Sequence, residues 1–311
     1  MGGAASLATA SSLPADAVVP TEAYWSLWPA LPVAPYGRRR TVMYEVVPGV
    51  YNFDQMIGIY YVHVPIRMTV VAVNQERGVA GGGGLLVYAP VAPTEECLAL
   101  MDRLIERHGP VRDIVLPSVA VEHKVNAGPF ARRFPEANFY TVDRQYSFPL
   151  DLPDSFLGLP PWTKPLPRSS GRDGGKVWYA SEEIEHEVLT VQPGPGSMYQ
   201  DVALLHKPSG TVLVCDAVFA VTDEPPRVLT DEDEYVRALL FHARDSKDEA
   251  VEDSPENRRK GWRRIVLLFN FSFRGPAGAI SDWDQFWKRS RRRATRMGGA
   301  AGGHFPGGMT R

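Results

Sequence analysis

The sequence contains no apolar run long enough to cross a membrane. Its longest runs, residues 211–221 (interrupted by Asp216) and 265–269, fall short of the ~18 residues that a spanning helix needs. Cysteine is also scarce, because only Cys97 and Cys215 occur, and both lie in apolar segments that are expected in the core. These absences exclude a transmembrane helix. They also argue against a disulfide framework or a cysteine zinc cluster and favour a reducing compartment.

Positive charge is missing from the first 20 residues, which contain no Lys or Arg. A secretory signal begins with a charged region, so this segment does not fit one. The Ala- and Ser-rich, acid-poor composition of residues 1–40 fits an organelle transit peptide, and a disordered start fits it equally well. We therefore predict a disordered N-terminal segment at 1–40, with a transit peptide as one interpretation.

Basic residues are concentrated at the other end of the chain. Residues 258–311 contain 13 Lys and Arg against 2 Asp and Glu, although the net charge of the whole chain is only −2. Beyond residue 275 the apolar pattern is not periodic, and Gly and Arg dominate, so we predict a disordered basic tail at 276–311. Neither this tail nor the unevenly spaced tryptophans indicate a specific nucleic-acid site.

The remaining residues, 41–275, have the composition of a folded mixed α/β domain. The chain is 44% apolar, enough for a buried core, while its 28 glycines and 27 prolines argue against a helical bundle. Residues 42–47, 57–64 and 67–73 have the β-branched and aromatic composition of strands. Arg67, at the start of the third, is expected to form a buried pair with a carboxylate.

The clearest helix is predicted at 95–108, where Thr94 is placed to cap an acidic first turn. It lies between apolar strands at 85–88 and 113–116, an order that predicts a right-handed unit with parallel strands. Weaker patterns predict strands at 177–179, 186–191, 202–206 and 211–215, helices at 128–134 and 231–242, and a last amphipathic or buried element at 262–273.

Two segments that follow apolar strands contain chemically active side chains. Residues 117–124 include Ser118, Glu122 and His123, and Asp216 ends the strand of the later hairpin. Taken singly, each charged residue is either a turn or cap residue or a catalytic one. Together and in this order they resemble the metallo-β-lactamase fold. In that fold a His-x-His-x-Asp-His metal loop follows a strand, and a bridging aspartate ends a later hairpin strand.

Six short motifs give a closer resemblance, which covers nearly everything from residue 46 to 273. They are VPGVY (47–51), FDQ (53–55), VPIRMT (64–69), EHK (122–124), GPFA (128–131) and GWRR (261–264). They resemble a family of plants, algae and cyanobacteria known as a domain of unknown function. That family is similar to metallo-β-lactamases in fold and degenerate in its metal motif. The resemblance implies a four-layer αββα sandwich over 41–275, shortened at its C-terminal end, and a plastid location, with the cytoplasm as the alternative.

The resemblance also implies where metal ligands would stand. The first metal would be held at Ser118, Ala120 and Ser197, but alanine has no lone pair and neutral serines replace imidazole poorly. The second would be held by Glu122, His123 and Asp216, which are all suitable ligands. Its fourth ligand would be a late histidine, for which His304 in the pair His304-Phe305 is the available but poorly matching residue.

These residues leave two functions open. The first is a catalytically silent or binding-only protein without a metal, in which Asp216 and Glu122 bond loop amides and His123 bonds a carboxylate. The second is a hydrolase with one divalent metal, Zn, Fe or Mn, held by Glu122, His123 and Asp216. A serine nucleophile is a weaker interpretation of Ser118, because no Gly-x-Ser-x-Gly elbow surrounds it. The partner would be a small molecule or a protein.

Overall fold

The structure of the chain is a computed structural model, and two of the predicted segments lie mostly outside the residues it describes. The basic tail, including His304 and Phe305, lies wholly outside them, and residues 1–32 of the N-terminal segment do too. The described residues are 33–34, 39–59, 62–74, 83–143, 145, 153–170, 177–194, 197–218, 222–231 and 233–272.

A large sheet of eight strands forms the centre of the domain. Its first half is antiparallel, from β1 (Val33–Ala34) to β5 (Gly84–Tyr88), and its second half, from β5 to β8 (Thr163–Pro165), is parallel, as the predicted strand, helix, strand unit requires. The single strand predicted at 57–64 is wrong, because these residues include the end of one strand, Val50–Ile59, and the start of the next, Val62–Val73, which pair with each other. The strand predicted at 67–73 is confirmed as part of the second of these strands. The eight strands are β1 (Val33–Ala34), β2 (Val42–Val47), β3 (Val50–Ile59), β4 (Val62–Val73), β5 (Gly84–Tyr88), β6 (Val111–Leu116), β7 (Asn138–Thr141) and β8 (Thr163–Pro165).

A smaller antiparallel sheet contains the later strands. It consists of β9 (Ile184–Gly194), β10 (Ser197–His206) and β11 (Thr211–Leu213), in the order β11-β10-β9. The hairpin predicted between the last two strands is confirmed, with His206 opposite Thr211. The strand predicted at 177–179 is wrong, because these residues form a bend and turn before β9.

Four α-helices and one short 3-10 helix, Arg227–Leu229, complete the described fold. The α-helices are α1 (Glu95–His108), α2 (Val121–Ala131), α3 (Asp233–Ala243) and α4 (Pro255–Ser272). The predicted bounds of α1 are confirmed, and the Thr94 hydroxyl accepts a hydrogen bond from the Cys97 amide. The predictions for α2 and α4 were wrong at their starts, since both helices begin seven residues earlier than expected. None of the described helices is long and apolar enough to span a bilayer.

The two sheets pack face to face, and this confirms the predicted α/β sandwich. One face of the large sheet and all four helices share a core that includes Phe53, Met68, Leu104, Phe130 and Leu239. The opposite face packs on the smaller sheet through a second cluster that includes Val71, Tyr88, Val115, Val202 and Leu204. Among the described residues, the outer face of the smaller sheet has a small cluster without a helix. The described layers are therefore helices, large sheet and small sheet.

Helices α3 and α4 cross closely at Gly261. A Cβ atom at this position would collide with the backbone carbonyl of Leu239. We expect Gly261→Ala to lower the free energy of unfolding by about 2 kcal/mol, because overpacking outweighs the better helix propensity of alanine. Urea unfolding would measure this, with Arg263→Ala on the exposed side of α4 as the matched control. An unchanged stability of Gly261→Ala would contradict this close crossing.

Candidate functional site

The candidate site lies where β6 ends and α2 begins. Ser118, two residues beyond β6, is fully buried, and its hydroxyl accepts a hydrogen bond from the Ala120 amide at 3.1 Å. The helix begins at Val121 without a side-chain cap, so Glu122 and His123 lie in its first turn rather than in a loop. Because the helix begins this early, His123 lies in its first turn and is nearly buried, with 7% of the residue exposed. Its imidazole lies beside Asp216 of the second sheet.

Asp216 follows β11, and its carboxylate contacts two side chains from the segment that follows β6 of the opposite sheet. Its Oδ2 accepts a hydrogen bond from the Ser118 hydroxyl at 2.8 Å, and its Oδ1 lies 3.5 Å from His123 Nε2. The predicted loop and the predicted aspartate are therefore brought together. Both carboxylate oxygens of Asp216 already have protein partners, one neutral and one ionisable.

A second aspartate, Asp201 in β10, holds the Asp216 segment in place. It is fully buried, and its Oδ2 accepts hydrogen bonds from the amides of Asp216 and Ala217, both at 2.7 Å, and from the Tyr199 hydroxyl at 3.0 Å. An isolated antiparallel bridge joins its backbone to that of Ser118. Its other oxygen, Oδ1, is buried without a hydrogen-bond partner. Asp201 therefore links the two sheets at the site.

Cys215 also lies at the site. One ligand atom each from His123, Cys215 and Asp216 fall within 4.8 Å of one another, which is the one such group of three or more in the described part of the chain. The prediction that both cysteines are core residues holds for Cys97, which is fully buried, but Cys215 is only partly buried. Both are free thiols, as predicted.

The charges at the site shift one another's pKa values. Burial by itself lowers the pKa of His123, but the carboxylates of Asp216, Glu122 and Asp201 outweigh burial and raise the pKa to about 9. Burial opposes ionisation of Asp216, yet His123 and the Ser118 hydroxyl hold its pKa below the ordinary value. At neutral pH the pair is therefore an imidazolium and a carboxylate.

The pKa values of the neighbouring acids and of the thiol are all raised, which favours their protonated forms. Burial, followed by repulsion from Asp216, raises the pKa of Asp201 to about 7. Burial also raises the pKa of Glu122 and, together with Asp216, places the pKa of the Cys215 thiol well above its usual range. The thiol is protonated at neutral pH.

The arrangement does not activate Ser118 as a nucleophile. Its hydroxyl donates to a carboxylate instead of to an imidazole, and its side chain is fully buried. An activated serine needs a general base that can accept its proton at the reacting face. The Ser-His interpretation is therefore not supported by this geometry.

Comparison with known families places this geometry in context. The sequence profile described as Domain of unknown function (DUF4336) matches residues 48–308, which is most of the chain. The chain belongs to this family. The DUF4336 match continues beyond residue 275, where the sequence analysis predicted that the domain ends. A search of curated proteins gave no significant match.

Several solved structures are similar to this DUF4336 member at low identity. A fragment described as diflavin flavoprotein A 5 from Nostoc sp. PCC 7120 has a TM-score of 0.39 and 9% identity, covering 76% of this chain and 99% of that one. TMB-1 has a TM-score of 0.40 and 9% identity, with coverages of 83% and 98%. A metallo-β-lactamase from Hirschia baltica has a TM-score of 0.36 and 12% identity, with coverages of 72% and 97%. Similarity at this level assigns neither a reaction nor a ligand to this DUF4336 member.

The predicted ligand positions have different outcomes in this DUF4336 structure. Ser118, His123 and Asp216 come together, while Ala120 stands at the start of α2 and has no donor atom. Ser197 begins β10, but its side chain lies outside the described part. Glu122 is electrostatically coupled to His123 and Asp216 but is outside the group of three convergent ligand atoms. Glu122 as a ligand stays a prediction.

Two residues of the site were missed by the sequence analysis. Asp201 has a recognisable signal, since an aspartate directly before the apolar stretch Val202-Ala203-Leu204 is unusual in a buried strand. Cys215 has no such signal, because a cysteine in an apolar strand is ordinarily a core residue. Only the turn after β11 brings its sulfur towards His123.

Proposed function

We propose that this protein is a binding member of a metallo-β-lactamase-like fold that acts without a dinuclear metal centre. The observation that supports it best is the pairing of Asp216 with Ser118 and His123. A bridging aspartate must offer its oxygens to metal ions, whereas here both oxygens bond protein groups. In the metal-free chain His123 is an imidazolium without a free lone pair, so a metal would have to displace its proton.

The positions of the first metal support the same proposal. Ala120 offers no ligand atom, and the Ser118 hydroxyl is committed to Asp216 and to the Ala120 amide. Neutral hydroxyls are weak replacements for imidazole at zinc. A pair of metals therefore lacks donors on one side, and the protein is proposed to bind its partner without hydrolysing it.

A single divalent cation is the second candidate, and it is favoured by the group His123, Cys215 and Asp216. Three such ligands with one open position match the donor set of a catalytic zinc site, and iron or manganese would rely more on Asp216 and Glu122. Asp201 lies close enough to interact electrostatically with His123, and its Oδ1 is buried without a hydrogen-bond partner. A bound metal would supply an activated water for hydrolysis. His123 and Cys215 would first have to release their protons.

Elemental analysis of the purified full chain distinguishes the two candidates. The proposal expects less than about one metal per ten chains, even after incubation with equimolar Zn²⁺ and gel filtration, because a protonated ligand set binds weakly. Stoichiometric zinc would overturn it and establish the second candidate, provided that Cys215→Ser and Asp216→Asn lose the zinc. Cys97→Ala, at the other and remote cysteine, is the control and should match the wild-type chain.

The partner and location remain part of the proposal. A small molecule or a protein fits a half-buried polar site better than nucleic acid does. The basic residues 258–260, 263 and 264 of α4 each lie at ion-pairing distance from an acidic side chain, so they do not form an uncompensated basic surface. The family resemblance supports a plastid location, with the cytoplasm as the alternative.

A further inference from the structure

A row of polar side chains crosses strands β2 to β4 on the sheet face that looks towards the smaller sheet. We call these residues the polar ladder: Tyr44, Asn52, Asp54, Arg67 and Thr69. Strand alternation places Asn52 and Asp54 on the face of Val50, and Arg67 and Thr69 on the face of Val71 and Val73. Those three valines pack against the smaller sheet.

The polar ladder is continuous through hydrogen bonds. The Thr69 hydroxyl donates to Asn52 Oδ1 at 2.9 Å, and Asn52 Nδ2 donates to the Tyr44 hydroxyl at 3.3 Å. That hydroxyl donates to Asp54 Oδ2 at 3.3 Å, and Asp54 pairs with Arg67. Apolar residues would pack such a sheet face at lower desolvation cost, so a structural role alone does not require this network.

The register of the strands places the polar ladder at the same end of the sheet as the candidate site. Thr69 lies opposite Tyr88, the last residue of β5, so Arg67 extends beyond the end of that strand. Ser118 likewise lies just beyond the end of β6, the next strand. The Tyr88 hydroxyl donates to the Val202 carbonyl at 2.6 Å, directly beside Asp201. Arg67 and the candidate site therefore lie at the same end of the sandwich, with the buried Tyr88 on the strand between them.

Arg67, at this end of the sandwich, has the geometry of a receptor for an oxyanion. Its Nε and Nη2 bond the two oxygens of the buried Asp54 carboxylate at 2.7 and 2.9 Å, which fixes the guanidinium plane. The Tyr44 ring centroid lies 5.8 Å from the guanidinium carbon. The side chain is nevertheless 51% exposed. A guanidinium has five N–H donors, so others are left for a second carboxylate or a phosphate.

We propose that the site binds a small polar molecule with an anionic carboxylate or phosphate group, and that Arg67 holds this group. The inference rests on the proposed binding function of the same site. The rest of the molecule then extends from Arg67 towards the α2 end of the sandwich.

Calorimetric titration with inorganic phosphate and with acetate, in low salt and EDTA, tests this inference. The full chain should bind at least one of the two saturably, and the responding anion identifies the group as phosphate or carboxylate. The double variant Asp54→Asn/Arg67→Gln removes both charges without leaving one buried alone, and its affinity for the anion should fall at least about tenfold. Arg67→Lys keeps the charge but loses the planar, bidentate guanidinium, so its affinity for the anion should fall by a smaller factor.

The matched control is Arg112→Gln. Arg112 is an exposed arginine near the opposite end of β6, stacked on Tyr179, and its loss should leave anion binding unchanged. Equal affinities of the Arg112 and the double variant, with circular dichroism showing both folded, would overturn the inference, as would a wild-type chain that binds neither anion. Binding that needs Zn²⁺ and ignores Arg67 would overturn it too. One combined result would separate the two proposals: stoichiometric zinc in the purified chain, together with anion binding in EDTA that depends on Arg67. It would overturn the proposed function without a metal and leave the inference about Arg67 standing.

Discussion

Asp201→Ala is expected to lower the free energy of unfolding by about 3 kcal/mol, because three buried donors lose their shared acceptor. These donors are the amides of Asp216 and Ala217 and the Tyr199 hydroxyl. The loss is partly offset because a carboxyl group no longer has to be buried. Urea unfolding near pH 6 would measure it. The segment at Asp216 should also move away from Ser118 and His123, because Asp201 is what fixes it.

Asp201→Asn is the matched control for this prediction. An asparagine oxygen can accept the same three hydrogen bonds, and its amide group would take the position of the unpartnered Oδ1. The loss of stability should therefore stay below about 1.5 kcal/mol. Equal losses for the alanine and asparagine variants would show that the charge of Asp201, rather than its acceptor oxygen, stabilises the site.

The stability of the metal-free chain is expected to fall by about 3 kcal/mol between pH 6.5 and 9 through His123 alone. The pKa of His123 is raised to about 9 in the folded chain from 6.5, so the folded state binds more protons than the unfolded state across this interval. Stability from the His123 and Asp216 pair is therefore complete below pH 6.5 and is lost as the pH rises through 9. Unfolding free energies at half-unit pH steps would show this slope.

The contribution of His123 is obtained by difference from His123→Gln, which should lack this part of the alkaline slope. His206→Gln is the matched control, because burial lowers the pKa of His206 to about 4, so its titration changes the stability above pH 6.5 by only about 0.4 kcal/mol and in the opposite direction. Buried thiols add a slope of the same sign as that of His123 near and above their ordinary pKa, and they do so in all three chains. Identical slopes for wild type and His123→Gln would mean that the ion pair with Asp216 does not form.

Much of the fold could be read from local patterns in the sequence. Thr94, the acidic turn after it and Gly109 predicted α1 with its bounds, because caps and helix periodicity are properties of a short segment. The turn after His206 predicted the hairpin for the same reason. The starts of α2 and α4 were missed, since burial in the helix layer stabilises turns that have little helix signal of their own.

The sequence by itself determined the order of most strands and helices, the lack of a donor side chain at Ala120, and the candidacy of His123 and Asp216. It could not give the distance between those two residues, because that distance depends on how two sheets pack. The tertiary structure sets it by bonding the Asp216 amide to Asp201 and the Asp216 carboxylate to Ser118. The same packing brings Cys215 and the polar ladder to one end of the sandwich. Residues far apart in sequence acquire a joint chemistry only when the sheets pack, and no local pattern records that packing.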